Sequence, residues 1–226
     1  MLFRSVYFGV FLVADGMGGH QSGEVASKLA AKAVSRELMD RLFGPILYEK
    51  QTPTDAKMNE WIKSAVNQAQ TLIHQQVPGG GTTLTLAITI GDRIYSAHVG
   101  DSRLYLVGKG GQLTLKTKDH SLVKRLVDLG EISAQEAKIH PQRNVLYRAL
   151  GQEDGLEPDL DQFSLEVGER LMICSDGLWG VLEEAQLECI LKAASPLDKT
   201  ACELVNAANV AGGPDNISVV LVERLS

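Results

Sequence analysis

Cysteine is scarce in this 226-residue chain, which contains only Cys174, Cys189 and Cys202. An odd number of cysteines without a close C-x-x-C pair forms neither a disulfide framework nor a zinc knuckle. Cys174 lies in an apolar strand pattern, and the other two lie in helical patterns. We therefore expect three buried free thiols in a reducing compartment, which favours a cytoplasmic protein.

Positively charged residues are also in deficit. The chain has 22 Lys and Arg residues against 28 Asp and Glu residues, so the formal net charge is −6. This balance argues against a nucleic-acid or anionic-membrane partner and is compatible with cation binding. No apolar run is long enough to span a bilayer. The apolar start, MLFRSVYFGVFLVA, is followed by a glycine-rich loop and not by a small-x-small cleavage site, so we predict no signal peptide.

Several catalytic motifs are missing as well. The chain has no G-x-x-x-x-G-K-[ST] P-loop, no G-x-S-x-G nucleophile elbow and no H-E-x-x-H zinc motif. The stretch GMGGHQSG departs from the dinucleotide-binding pattern at Gln21, and Cys174 is not followed by an Arg-bearing phosphate loop. Covalent catalysis therefore has no convincing nucleophile, and a nucleotide-binding domain is disfavoured.

The order of apolar patterns predicts an α+β fold. An apolar run over residues 6–14 predicts a strand buried on both faces, and helical spacing follows over residues 23–42 and 57–77. Four short strand patterns with hairpin turns come next, which is not the alternation of a parallel βαβ sheet. The length fits one domain. Residues 119–151 carry many charges and little strand pattern, so we predict an excursion from the core.

Four aspartates share one local setting, because each lies where an apolar strand meets a turn: Asp15, Asp101, Asp176 and Asp215. Each alone is an ordinary turn residue, since Asp bonds its own backbone. If the strands share a core, however, the carboxylates converge at one end and raise each other's pKa unless a cation intervenes. Hard divalent cations with oxygen ligands, Mg²⁺ or Mn²⁺, are the expected occupants.

Four stretches resemble one family, and they are VADGMGGHQSGEVAS, GGTTLTLAITIGDRIYSAHVGDSRLYLV, CSDGLWGVL and GGPDNISVVLVE. In order and spacing they are similar to the metal-dependent Ser/Thr protein phosphatases of the PP2C type, in their bacterial form. The resemblance implies a four-layer αββα sandwich of two antiparallel sheets flanked by helices, with a two-metal centre at one end. It also implies hydrolysis of phosphoserine and phosphothreonine in proteins, opposing a cognate Ser/Thr kinase.

The resemblance assigns roles residue by residue. It implies that Asp15 bridges two Mn²⁺ or Mg²⁺ ions, that the Gly16 carbonyl binds the second, and that Asp176 and Asp215 hold the first. It implies that Asp101 supports a third, weaker metal. Two such ions bridge a water, lower its pKa and aim it at a phosphoryl group. Thr82 and Thr83 are assigned no role beyond the strand, and residues 119–151 are expected to form a flap.

Two further positions stay open. His20 is either the general acid for the leaving serine or threonine oxygen or a polar loop residue. Family members usually carry an earlier segment with a phosphate-binding Arg and an acidic pair. None of the fourteen residues before Asp15 is acidic, so either the N-terminal segment is incomplete or the protein is impaired. Arg4 is the candidate substitute for that Arg. The alternative function is a catalytically weak metal-binding regulatory module.

Overall fold

The computed structural model describes residues 7–18, 20–49, 51–152, 155–193 and 195–225, with the backbone alone of His20. Its strands are β1 Phe8–Val13, β2 Gly16–Met17, β3 Gly81–Thr82, β4 Leu84–Ile90, β5 Arg93–Val99, β6 Arg103–Val107, β7 Leu113–Leu115, β8 Asp159–Ser164, β9 Arg170–Cys174 and β10 Val219–Glu223. One antiparallel sheet has the order β1-β4-β5-β8 and a second has the order β10-β9-β6-β7. A small ribbon joins β2 to β3.

Helices form the two outer layers and also lie in the connection between β7 and β8. They are α1 His20–Phe43, α2 Asp55–Gln76, α3 Leu122–Asp128, α4 Ala134–Ile139, α5 Asp176–Trp179, α6 Glu184–Lys192 and α7 Leu197–Val210, with a π-helical turn Gly44–Tyr48 after α1. Thr54 caps α2 by accepting a hydrogen bond from the Lys57 amide, and Val77 ends it before Pro78. None of these helices combines the length and apolarity that crossing a bilayer requires.

Three apolar layers separate the four structural layers. The first packs α1 and α2 on the first sheet and includes Leu38, Ile62 and Leu86. The second lies between the two sheets, and the third packs α5, α6 and α7 on the second sheet. Burial of these apolar faces is the main source of stability. The predicted αββα sandwich is therefore confirmed, and the site lies where strand ends of both sheets meet.

Two expectations from the sequence are wrong. The strand β1 is half-buried along most of its length, because it pairs only with β4 and forms an edge of the described sheet. Only Cys174 is buried, whereas Cys189 and Cys202 are exposed. These two lie on the outer helices α6 and α7, where apolar spacing marks a buried face but other positions face solvent.

Candidate metal centre

Strand register brings the predicted carboxylates to one end of the sandwich. Cys174 at the end of β9 pairs with Val219 at the start of β10 and with Arg103 at the start of β6. The turns that hold Asp176, Asp215 and Asp101 therefore start from neighbouring strand ends. In the first sheet, Val13 of β1 pairs with Thr85 of β4, and Asp15 follows two residues later.

Asp15 and Asp176 interact most closely. Burial is the largest cause that raises the pKa of each of these two carboxyl groups. The charge of Asp176 raises the pKa of Asp15 further, and the charge of Asp215 raises the pKa of both. Asp215 itself is exposed. The three carboxylates therefore form one electrostatic unit in which full ionisation requires a compensating positive charge.

One atom of this unit has no hydrogen-bond partner. Asp176 Oδ1 is buried without a donor among the described residues, which is costly for a carboxylate oxygen unless a cation or proton faces it. The same residues contain no ready-made group of three His, Cys, Asp or Glu side chains around one point. The all-oxygen donor set and the orphaned Asp176 oxygen fit a hard divalent cation, which would offset the repulsion among the three carboxylates.

Asp101 lies beside this unit on the loop that crosses from β5 in the first sheet to β6 in the second, here called the Asp101 loop. Burial, and then the charges of Asp176, Asp119 and Asp15, raise the pKa of Asp101 to about 8. The Trp179 indole donates a hydrogen bond to the Asp101 carbonyl at 3.0 Å. The Arg103 guanidinium stacks on the Trp179 ring at 3.6 Å and pairs with Asp119. The helix that starts at Asp176 is thereby tied to the Asp101 loop.

Ser175 ties the Asp176 and Asp215 turns together. Its hydroxyl donates to the Asn216 carbonyl at 3.2 Å and accepts from the Ser218 amide at 3.0 Å. Gly177 packs so closely on the Asn216 carbonyl that a side chain at residue 177 has no room. Both aspartates are therefore held by backbone contacts as well as by their strands.

Asp15 is held by the first helix layer and by the ribbon that joins β2 to β3. A Cβ on Gly16 would collide with the Gly23 carbonyl, and a Cβ on Gly23 would lie 2.8 Å from the Gly16 carbonyl carbon. The start of α1 therefore rests directly on the turn after Asp15, which explains the glycine at both positions. Thr82 and Thr83 hold the backbone of Asp15 from the other side.

The remaining predicted residues differ in what the structure says of them. Arg4 lies outside the described residues, and the side chain of His20 does as well, so both stay predictions. His98, a strand histidine, is buried between the Thr85 hydroxyl and the Lys118 carbonyl. Sequence reasoning missed Thr83, Ser175 and Trp179 as supports of the aspartates. The sequence did offer a signal, because Ser175 and Trp179 lie within three residues of Asp176 and Thr83 lies in one of the four stretches that resemble the family.

Comparisons with known proteins agree with this geometry. The sequence profile of the family described as protein phosphatase 2C matches residues 5–212. The serine/threonine phosphatase stp of Listeria innocua is 40% identical over 215 residues, which cover 95% of this chain and 84% of that protein. The class defined by this sandwich and its carboxylate cluster is thus that of the PP2C-type phosphatases, and the chain belongs to the protein phosphatase 2C family.

Solved structures give the same result. The serine/threonine phosphatase of S. agalactiae superimposes with a TM-score of 0.84 at 33% identity and covers 97% of this chain and 88% of its own. The catalytic domain of the phosphatase PstP, solved in complex with 2 manganese ions, superimposes with a TM-score of 0.75 at 34% identity. That match covers 98% of this chain and 91% of PstP.

Proposed function

We propose that this chain is a metal-dependent protein phosphatase that hydrolyses phosphoserine and phosphothreonine in proteins. The observation that carries the proposal is the cluster of Asp15, Asp176 and Asp215, with its orphaned Asp176 oxygen, in a chain of the protein phosphatase 2C family. The relatives support the activity, because they are named serine/threonine phosphatases. The alternative of a catalytically weak module has no support among them.

The chain's own residues would hold two Mn²⁺ or Mg²⁺ ions. The family resemblance supports the inference that Asp15 would bind both ions, that Asp176 and Asp215 would hold one and the Gly16 carbonyl the other, and that Asp101 would support a third. When bound, such ions supply a water of lowered pKa and offset the charge of the phosphoryl group. A bound cation would offset the mutual repulsion of the buried Asp15 and Asp176 carboxylates. His20 stays a candidate for protonating the leaving oxygen, and Arg4 for contacting the phosphate.

We further propose that residues 119–151 form a flap beside this centre within a single domain. The segment contains α3 and α4, and its two ends are fixed by backbone hydrogen bonds. The His120 amide donates to the Gly100 carbonyl at 2.7 Å, beside Asp101. At the other end Leu150 exchanges two hydrogen bonds with Thr82, whose hydroxyl contacts Asp15. Anchored ends with an exposed helix, α4, between them suit a substrate-contacting segment.

Phosphorylated proteins are the expected substrates, and a Ser/Thr kinase must supply them because the phosphate ester has to be formed first. A specific kinase partner and a cytoplasmic location stay predictions. The charge of −6 gives no support to a nucleic-acid or anionic-membrane partner.

Phosphate release from a phosphothreonine peptide tests the proposed function. The purified chain is treated with a chelator, dialysed and assayed with and without added Mn²⁺ or Mg²⁺. We expect release only with the added ion, and a phosphotyrosine peptide of the same sequence serves as the comparison substrate. Release that is equally fast in the chelator, or absent at every metal concentration, contradicts the proposal.

A further inference from the structure

We propose that Thr83 and Ser102 are positioning residues that lock the Asp15 loop to the Asp101 loop through a buried hydroxyl pair. The two loops come from different parts of the sandwich. Asp15 follows β1 of the first sheet, whereas Asp101 and Ser102 lie where the chain passes from β5 in the first sheet to β6 in the second. The inference rests on the proposed function, because it assigns Thr83 and Ser102 to the support of its metal-binding carboxylates.

The backbone of Asp15 is fixed on both of its polar groups by two consecutive threonines. The Asp15 amide donates to the Thr83 hydroxyl at 3.0 Å. The Asp15 carbonyl accepts from the Thr83 amide at 2.8 Å and from the Thr82 hydroxyl at 2.9 Å. A residue held at its N–H and at its C=O has little backbone freedom, so this pair fixes the Cα–Cβ bond from which the Asp15 carboxylate projects.

The Thr83 hydroxyl also reaches the other loop. Its oxygen lies 2.7 Å from the Ser102 hydroxyl, and Thr83 and Ser102 are 3% and 0% exposed. The Ser102 carbonyl in turn accepts a hydrogen bond from Thr85 at 2.8 Å. One Thr83 oxygen therefore accepts from the Asp15 amide and shares a hydrogen bond with the residue after Asp101. Buried hydroxyls in such a chain are costly to leave unpaired.

The methyl group of Thr83 gives the position a second requirement. Gly100 has a φ of +107°, and a Cβ there would lie 2.6 Å from Thr83 Cγ2. The Asp101 loop therefore packs on the methyl group of Thr83, while the Thr83 hydroxyl faces Asp15 and Ser102. Serine at residue 83 keeps the hydrogen bonds and loses the packing contact. Valine keeps the shape and loses the hydrogen bonds, so the two variants separate the two roles.

The experiment compares four variants by calorimetric titration of the metal-free protein with Mn²⁺, together with kcat and KM for p-nitrophenyl phosphate and the melting temperature. The variants are Thr83→Val, Thr83→Ser, Ser102→Ala and the double variant Thr83→Val with Ser102→Ala. The control is Thr200→Val, because Thr200 is also 0% exposed and hydrogen-bonded but lies in α7, where its hydroxyl contacts the Pro196 carbonyl.

We expect Thr83→Val to weaken Mn²⁺ binding by about ten- to a hundredfold, the usual effect of removing a residue that orients a metal ligand. KM for the small ester should change less than kcat. Thr83→Ser should bind Mn²⁺ within about threefold of the wild-type protein, and Ser102→Ala should lie between them. The double variant should bind Mn²⁺ with nearly the same affinity as Thr83→Val, because both substitutions break the same Thr83–Ser102 hydrogen bond.

Wild-type Mn²⁺ affinity in Thr83→Val overturns the inference, as do fully additive effects in the double variant. An equal loss of Mn²⁺ affinity in Thr200→Val also overturns it, since general destabilisation then explains the result. If Thr83→Val does not fold, wild-type Mn²⁺ affinity in Ser102→Ala overturns the inference instead. A wild-type protein that binds Mn²⁺ but releases no phosphate contradicts the proposed function alone, because the calorimetric comparison still decides the role of Thr83.

Discussion

At the scale of single residues, the interior of this protein contains polar groups whose ionisation is controlled by burial. His98 is 3% exposed in β5. Burial, and then the neighbouring His120 ring at 4.9 Å, lower the pKa of His98 to about 4. The ring is therefore neutral in the folded protein at neutral pH, and it is held there by the Thr85 hydroxyl and the Lys118 carbonyl.

His98 should make stability depend on acid. Its folded pKa lies below the unfolded value of about 6.5, so the unfolded chain binds the proton first. The contribution of neutral His98 to the free energy of unfolding is complete above about pH 6.5, and it is lost as the pH falls toward the folded pKa of about 4. We expect urea unfolding to show a smaller fall in stability over this window in His98→Gln than in the wild-type protein. Equal slopes in the two proteins would show that His98 does not titrate on unfolding.

At the scale of elements, the site depends on close backbone contacts between a turn and the helix that follows it. Gly16 and Gly23 touch through their backbones where α1 begins. Sequence patterns predicted the helix and the strand on either side, because apolar spacing reports which face of an element is buried. They did not predict this contact or the roles of Thr83 and Ser175, since pairing between distant segments leaves no periodic signal.

Gly23→Ala should disturb the site although alanine favours helix. The added Cβ would lie 2.8 Å from the Gly16 carbonyl carbon, which forces α1 away from the turn after Asp15. We expect a lower melting temperature and weaker Mn²⁺ binding. The matched control is Gly44→Ala, where a Cβ meets nothing within 4 Å and stability should be unchanged or higher. Similar behaviour of the two variants would argue against the contact.

The proposed flap makes a second prediction at this scale. Replacing residues 131–142 with a short Gly-Ser linker removes α4 while leaving both anchored ends, at His120 and Leu150, in place. We expect KM for a phosphothreonine peptide to rise severalfold, and hydrolysis of p-nitrophenyl phosphate to stay within about twofold, because a small ester does not reach the flap. An equal loss for both substrates in a folded variant would contradict a substrate-contacting role.

At the scale of the whole molecule, two sheets and their helices bring four turns to one end, and each turn contributes a carboxylate. The four-layer sandwich was predicted because long apolar patterns and the family resemblance agree. The edge position of β1 and the exposure of Cys189 and Cys202 were not predicted. Strand order and the rotation of a helix about its axis are set by tertiary packing. Metal binding should stabilise this arrangement by removing repulsion among the carboxylates.

Mn²⁺ should therefore raise the melting temperature of the metal-free protein. Binding to the folded state alone contributes about 2.7 kcal/mol at a hundredfold excess over Kd. For a chain of this size that corresponds to a rise of about 5–11 °C, since 1 kcal/mol shifts Tm by about 2–4 °C. Differential scanning calorimetry with and without a chelator measures the rise. NaCl at the same ionic strength is the comparison that separates binding of the divalent ion from screening.

The most direct test of the central claim is a pair of Asp→Asn variants titrated with Mn²⁺ and assayed on a phosphothreonine peptide in parallel. Asp176→Asn removes the charge from the orphaned carboxylate at the site. Asp92→Asn changes an exposed aspartate in the β4–β5 turn, at the opposite end of β5 from Asp101. We predict that Asp176→Asn loses Mn²⁺ binding and phosphate release together, while Asp92→Asn keeps both. Unchanged Mn²⁺ affinity in a folded Asp176→Asn variant would contradict the account.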